Sequence, residues 1–122
     1  VVLMHMHRDP QTMQVAPMEG DCVPQVLTFL QRVAQDLCAL EVEKTRIMFD
    51  PGIGFGKTVA QNFALLARQQ ELLASGYPLL AGWSRKSSLG AVTGLEVDQR
   101  LQPSVAAALL AVERGARVVR VH

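Results

Sequence analysis

Four short apolar runs recur along the chain, and the stretches between them repeat with a helical period. That alternation limits the fold more than any other feature. The runs are Val1 to Met6, Arg46 to Asp50, Leu79 to Trp83 and Arg117 to Val121, spaced roughly 30 to 45 residues apart. The first is broken only by His5, the pattern of a strand buried on both faces in a parallel sheet. After Asp21, a natural N-cap, Val26, Leu27, Leu30, Val33, Ala34 and Leu37 share one face, which predicts a helix over roughly 22–39. A second helix is expected from about 59 to 74, capped by Thr58, with Phe63, Leu66 and Leu73 inward and a stop at Gly76. A short helical turn should follow Ser88 toward Gly94. The last helix starts at Asp98 or at Pro103, since a proline there either opens a helix or kinks one already begun. It continues through Ala106, Leu109, Leu110 and Val112 to Gly115, and its alanine-rich run Val105 to Val112 reads as buried. The order β-α-β-α-β-α-β makes an α/β chain of parallel strands joined by right-handed crossover helices. An open doubly wound sheet and part of a (β/α)8 barrel both satisfy it, and in both, sites form at the carboxyl ends of strands.

The polar clusters stand at those ends. His5 and His7 follow the first strand, Asp50 ends the second, Ser84 to Ser88 follow the third, and Arg120 and His122 close the fourth. The amino ends (Val1, Arg46, Pro78, Arg117) carry no comparable cluster. The net charge of +1 gives no nucleic-acid or polybasic membrane signal, and no apolar run approaches the ~18 residues of a membrane span. Cys22 and Cys38 lack metal-ligand spacing and read as reduced thiols of a cytoplasmic protein. The chain opens on Val1 without an initiator methionine, and both ends look cut through strands, so a piece of a longer protein is expected. The polar stretch from His7 to Gly20 is long for a structureless connection, which favours a functional loop.

Asp50-Pro-Gly-Ile-Gly-Phe-Gly-Lys57 is the most informative of these clusters. Its glycines free the backbone for left-handed turns and for close approach to a ligand. A strand-end carboxylate suits an amidine- or guanidine-like edge, although Asp-Pro-Gly is also ordinary turn chemistry. The spacing is neither a P-loop nor G-x-G-x-x-G. Phe55, between two glycines, is a candidate wall facing a ligand. Ser84-Arg-Lys-Ser87 places two cations and two hydroxyls where a helix opens, which reads as an anion site or as a solvated basic turn. Arg120 and His122 alternate onto one side of their strand, where an anionic ligand such as a phosphate would partner them, unless the segment is simply an exposed end. His5 and His7 form an H-x-H pair that could share a metal only with further ligands. A core histidine beside a loop histidine is the plainer reading.

Taken together, Leu3-Met-His-Met6, Thr12-Met-Gln14, Asp50 to Lys57, Asn62, Leu65-Leu66, Pro78-Leu-Leu, Gly82, Ser84 to Ser87, Arg100-Leu101, Gly115-Ala116 and Arg120-Val-His122 resemble the C-terminal half of bacterial dihydropteroate synthases, in order and over essentially the whole chain. Corrinoid-linked methyltransferases share the fold and the strand-end aspartate, but not Ser84 to Ser87 together with Arg120 to His122. The resemblance implies the C-terminal half of a (β/α)8 TIM barrel, with residues 1–122 forming a partial pterin-binding domain that lacks the N-terminal half and the extreme C-terminus.

It implies a cytoplasmic transferase of folate biosynthesis, dimeric as the whole protein and of a family that sulfonamides target. This enzyme condenses 4-aminobenzoate with 6-hydroxymethyl-7,8-dihydropterin diphosphate and releases pyrophosphate with Mg²⁺. By the same resemblance, Asp50 would hold the pterin's N–H edge, Lys86 its carbonyl and ring nitrogen, and Met4 would line that pocket. Gly54 and Phe55 would border the bound substrates, with Phe55 on the aminobenzoate channel and Ser87 receiving the carboxylate. Arg120 would stack on the pterin and, with His122, bind the diphosphate. Lys86, Arg120 and His122 carry the catalytic roles, and no protein nucleophile is needed. No metal ligand is expected in this chain, because the Mg²⁺ ligand and the mobile loops belong to the family's earlier strands. The fragment alone should therefore be inactive. The alternatives are a non-catalytic pterin-binding half-barrel and a pterin-dependent methyltransferase domain. Three departures stand out: Pro103 and Glu41 replace family glycines, and His7 replaces a different polar residue.

Overall fold

The computed structural model describes residues 1–8, 11 and 18–122. The Thr12 to Gln14 motif and most of the long loop after the first strand therefore lie outside the described residues. The elements are β1 (Val2–Met4), α1 (Cys22–Ala39), β2 (Met48–Asp50), α2 (Val59–Ala67), α3 (Gln69–Leu73), β3 (Leu80–Ala81), α4 (Ser87–Thr93), α5 (Leu101–Glu113) and β4 (Val118–Val119). Short 3-10 turns precede β2 and α5.

Every strand pair is parallel. Val2 lies beside Met48 and Met4 beside Asp50, while Leu80 lies beside Val118. A single bridge, Phe49 to Leu79, joins the two pairs. The spatial order therefore follows the chain, each strand being laid on the same side of the one before. The strands are shorter than the apolar runs suggested, but their positions agree.

Helix α1 occupies the expected span. Asp21 Oδ1 accepts from the backbone N–H of Val23 at 3.2 Å, and the same carboxylate receives Arg68 Nη1 at 2.9 Å. The helix closes on Glu41 at φ +66°, where Val42 N donates to Leu37 O at 3.1 Å, as in a Schellman stop that ordinarily takes glycine. Thr58 caps α2 through a full capping box with Gln61.

The second helix is not continuous. Arg68, at φ −105° and ψ 25°, separates α2 from α3. The break turns the Gln69 side chain inward, and its Nε2 donates to the carbonyls of Ala111 and Arg114 at 2.9 and 3.0 Å. Helix α5 starts at Leu101, so Pro103 falls in its first turn, where its missing N–H costs no intrahelical bond, and Asp98 belongs to the preceding 3-10 turn.

The core joins the inner face of α1 (Val23, Val26, Leu30, Ala34) to Ile47, Phe49, Ile53, Leu65, Leu72, Leu79 and Trp83. The burial of α5 differs from expectation. Its small residues Ser104, Ala107 and Ala111 face the sheet, whereas Leu101, Val105, Leu109 and Val112 are 73, 60, 67 and 49% exposed. The reason is that α5 is apolar nearly all round, so periodicity could not choose its inner face. Small side chains let the helix sit close to the strands, leaving the larger ones outward. With Val119 and Val121 these residues line an apolar groove of about 510 Å³.

Candidate functional site

The loop after β2 is built on its glycines. Gly52 and Gly56 adopt φ +71° and +76° and lie directly against the backbone of His5 and His7, leaving no room for a Cβ. Phe55 O receives the His7 N–H at 3.3 Å, which binds this loop to the end of β1. Asp50 is buried, and its Oδ1 accepts from Gly52 N at 2.8 Å. The turn role foreseen for Asp50 is thus filled by one carboxylate oxygen. Met4 is half-buried and pairs with Asp50 in the parallel register, so the two side chains point to the same face of the sheet.

Lys57 closes the loop from beneath. It is buried, and its Nζ donates to Gly52 O at 2.7 Å and to Phe55 O at 3.2 Å. Burial lowers its pKa from 10.5 to about 8, against the opposing pull of the neighbouring Cys22 and Asp50. A lysine with a rigid loop folded around it is therefore part of the scaffold.

The loop after β3 is built differently. Arg85 takes φ +60°, a left-handed conformation that strains a branched-off side chain. Ser104 Oγ accepts the Arg85 N–H at 2.9 Å, and Arg100 Nη1 donates to Arg85 O at 3.0 Å, so α5 and the residue before it brace the turn. The turn sends its two cations apart. Arg85 is exposed and borders a neighbouring groove with Val97 and Asp98, while Lys86 runs inward. The reading of a joint Arg85–Lys86 anion site is corrected accordingly.

Lys86 donates to Ile53 O, and its Nζ stands 4.8 Å from the centroid of the Phe55 ring. Burial lowers its pKa to about 8, with Asp50 pulling it up and Arg120 pushing it down. Gly54 faces its stem, a Cβ there lying 3.3 Å from Lys86 Cδ. Phe55, Lys86, Arg120 and His122 line one cavity of about 430 Å³ with Gly82, Ser84 and Val121. At Gly82 a Cβ would stand 3.0 Å from Arg120 Nη2, so the guanidinium passes close to this backbone. Ser84 Oγ accepts the His122 N–H at 3.2 Å and lies 2.9 Å from His122 Nδ1, tying the ends of β3 and β4 together. Ser87 is exposed at the first position of α4 and is not among the residues lining the cavity.

The structure thus gathers Phe55, Lys86, Arg120 and His122, with Gly54 against the lysine stem and Asp50 near enough to act on the lysine's charge. The sequence placed Ser84 and Ser88 at the strand end and Lys57 at the end of the glycine loop, but not their bonds to His122, Asn62 and the loop carbonyls. Gly82, a lone glycine within a strand run, was a readable signal of close approach. His5 is buried with its ring edge-on to Phe29, centroids 5.1 Å apart, and its Nδ1 has no hydrogen-bond partner among the described residues. Burial, with Lys57 and His7 nearby, lowers its pKa from 6.5 to about 4. Among the described residues, no three His, Cys, Asp or Glu side chains group as metal ligands. No helix of the described residues is long and apolar enough to cross a membrane.

Residues 1–122 match the model of the pterin binding enzyme family. The dihydropteroate synthase of Haemophilus influenzae is 45% identical over 122 residues, which is all of this chain and 44% of that protein. A Xanthomonas albilineans dihydropteroate synthase in complex with 7,8-dihydropteroate superposes with a TM-score of 0.90 at 45% identity, over 99% of this chain and 44% of that one. The Yersinia pestis dihydropteroate synthase in a sulfonamide drug complex gives a TM-score of 0.95 at 40% identity, again over 99% and 44%. The chain therefore spans less than half the length of the relatives it matches.

Proposed function

The chain belongs to the pterin binding enzyme family, and from that membership we propose that the protein carrying it is a dihydropteroate synthase. It joins 4-aminobenzoate to 6-hydroxymethyl-7,8-dihydropterin diphosphate and releases pyrophosphate. One observation carries the reading: Phe55, Lys86, Arg120 and His122, from three different strand ends, line a single cavity. Asp50 offers a carboxylate to the pterin's N–H edge. Lys86, with a pKa of about 8, is still protonated at neutral pH and can donate to the pterin carbonyl and ring nitrogen. Met4 borders the same face as Asp50. Gly54 leaves space for Lys86, Phe55 forms the wall toward the arylamine, and Ser87, exposed at the start of α4 outside the cavity itself, is assigned the arylamine's carboxylate.

Arg120 and His122 face the leaving diphosphate. Positive groups placed there stabilise the charge that develops as the C–O bond breaks, and holding both substrates in line supplies much of the remaining acceleration. The arylamine nitrogen attacks the pterin methylene carbon, its electron pair forms the new C–N bond, the C–O pair departs with the pyrophosphate, and one amine proton is lost to water. Mg²⁺, a hard cation that takes oxygen ligands, would be held with the pyrophosphate by groups outside residues 1–122, since Ser84 is the one side-chain oxygen among the described residues lining this cavity.

The strand order following the chain supports the C-terminal half of a (β/α)8 barrel, because a doubly wound sheet reverses its order at a switch point. The exposed row Leu101, Val105, Leu109 and Val112 supports a surface covered in the whole protein, which we take to be a homodimer. Two free cysteines are consistent with action in the cytoplasm. The test is formation of dihydropteroate from the two substrates by the protein that contains this chain. Activity is expected there and none from residues 1–122 alone; an inactive whole protein would overturn the reading.

A further inference from the structure

We infer that Asn62 is a positioning residue for Lys86, holding both segments between which the lysine runs. Asn62 is the fourth residue of α2 and is buried. Its Oδ1 accepts the Gly54 N–H at 2.9 Å, and its Nδ2 donates to Ser88 Oγ at 2.9 Å. Gly54 is the backbone that borders the Lys86 stem. Ser88 lies in the first turn of α4, and Lys86 is the residue on which that helix opens. One amide thus fixes the wall beside the stem and the turn from which the stem springs. The bond from Lys86 Nζ to Ile53 O, adjacent to Gly54, closes the ring.

The chemistry suits an amide. The two targets need one acceptor and one donor from a single planar group, which asparagine supplies and leucine does not. Burying that amide beside Leu65 and Leu66 would be costly unless both ends were bonded. Helix α2 does not need Asn62 for its own start, since Thr58 and Gln61 already cap it.

The inference rests on the reading of Lys86 as a pterin ligand, and a double-mutant cycle in the protein containing this chain separates the two. Steady-state kinetics would compare Asn62→Leu, Ser88→Ala and Lys86→Met, singly and with the lysine change added to each of the others. Asn62→Leu is expected to raise KM for the pterin diphosphate roughly tenfold and Ser88→Ala roughly threefold. Both effects should shrink to less than about twofold in the Lys86→Met background, because no ammonium remains to be misplaced. Equal fold-changes in the two backgrounds would overturn the inference, since a purely structural residue acts regardless of Lys86. Unchanged KM in the single variants would overturn it as well. If Asn62→Leu fails to fold, the Ser88→Ala arm completes the cycle. An inactive unsubstituted protein removes the proposed function and this inference with it. An active protein whose pterin KM ignores Lys86→Met removes only the lysine's role and what depends on it.

Discussion

The loops after β2 and β3 face the same cavity and solve the same problem by opposite means. After β2, the left-handed backbone is given to glycines, which adopt it at little steric cost, and the tightness comes from their contact with His5 and His7. After β3, the left-handed position falls to Arg85, and distant groups, Ser104 and Arg100, hold it there. The first wall carries its left-handed geometry in residue type, because glycine takes it without a brace. The second takes its left-handed geometry from bonds supplied by α5 and the residue before it.

Substitutions can break or sharpen that contrast. The largest effect is expected for Gly52→Ala, whose Cβ would collide with the His5 carbonyl. Urea unfolding of the protein that carries the chain should show a loss of more than about 3 kcal/mol, or no folded protein at all. A tolerated alanine would mean that the first loop is not locally tight. Next comes Ser104→Ala, which leaves the Arg85 N–H without its acceptor; a loss of about 1 to 3 kcal/mol is expected. A neutral result would show that the second turn needs no brace.

The third test uses the two lysines. Each has a folded pKa of about 8 against an unfolded value of 10.5, so the unfolded chain holds more protons between those values and stability rises with pH across that window. Lys57→Met should flatten the rise by on the order of 1 kcal/mol, and more than Lys86→Met does, because Lys57 is the more buried. The smallest effect is Arg85→Gly, expected to gain about 1 kcal/mol by relieving the left-handed strain, with thermal denaturation as the readout. It would be the mirror image of Gly52→Ala. A loss would mean that the arginine side chain contributes more than its backbone costs.

The sequence showed the features that are local and missed those that are not. Helix α1, the Thr58 cap and the glycines' freedom for left-handed turns were readable, since each depends on a few neighbouring residues, whereas Pro103 left a first turn and a kink both open. So was the placing of polar groups at strand ends. The break at Arg68 was not, because it answers to Gln69 reaching the end of α5. The outward face of α5 was hidden by a helix apolar on every side. The bridges Asn62 to Ser88 and Ser84 to His122 join residues far apart in sequence, and no spacing announces them. Arg85 carries no glycine to mark its conformation, so the divergence of its side chain from that of Lys86 was invisible.

The parallel register has a consequence for how the molecule is made. Val2 must find Met48, and Leu80 must find Val118, each across a whole helical segment. Pairings this remote in sequence pay loop-closure entropy before they gain any contact, so they form slowly. Helix α1, capped and amphipathic, can form far sooner. During synthesis the chain therefore passes through a period in which its helices exist and its strand edges do not yet have partners. The apolar row on α5 is uncovered in the same interval, which makes this the stage at which such a chain is most in need of a chaperone.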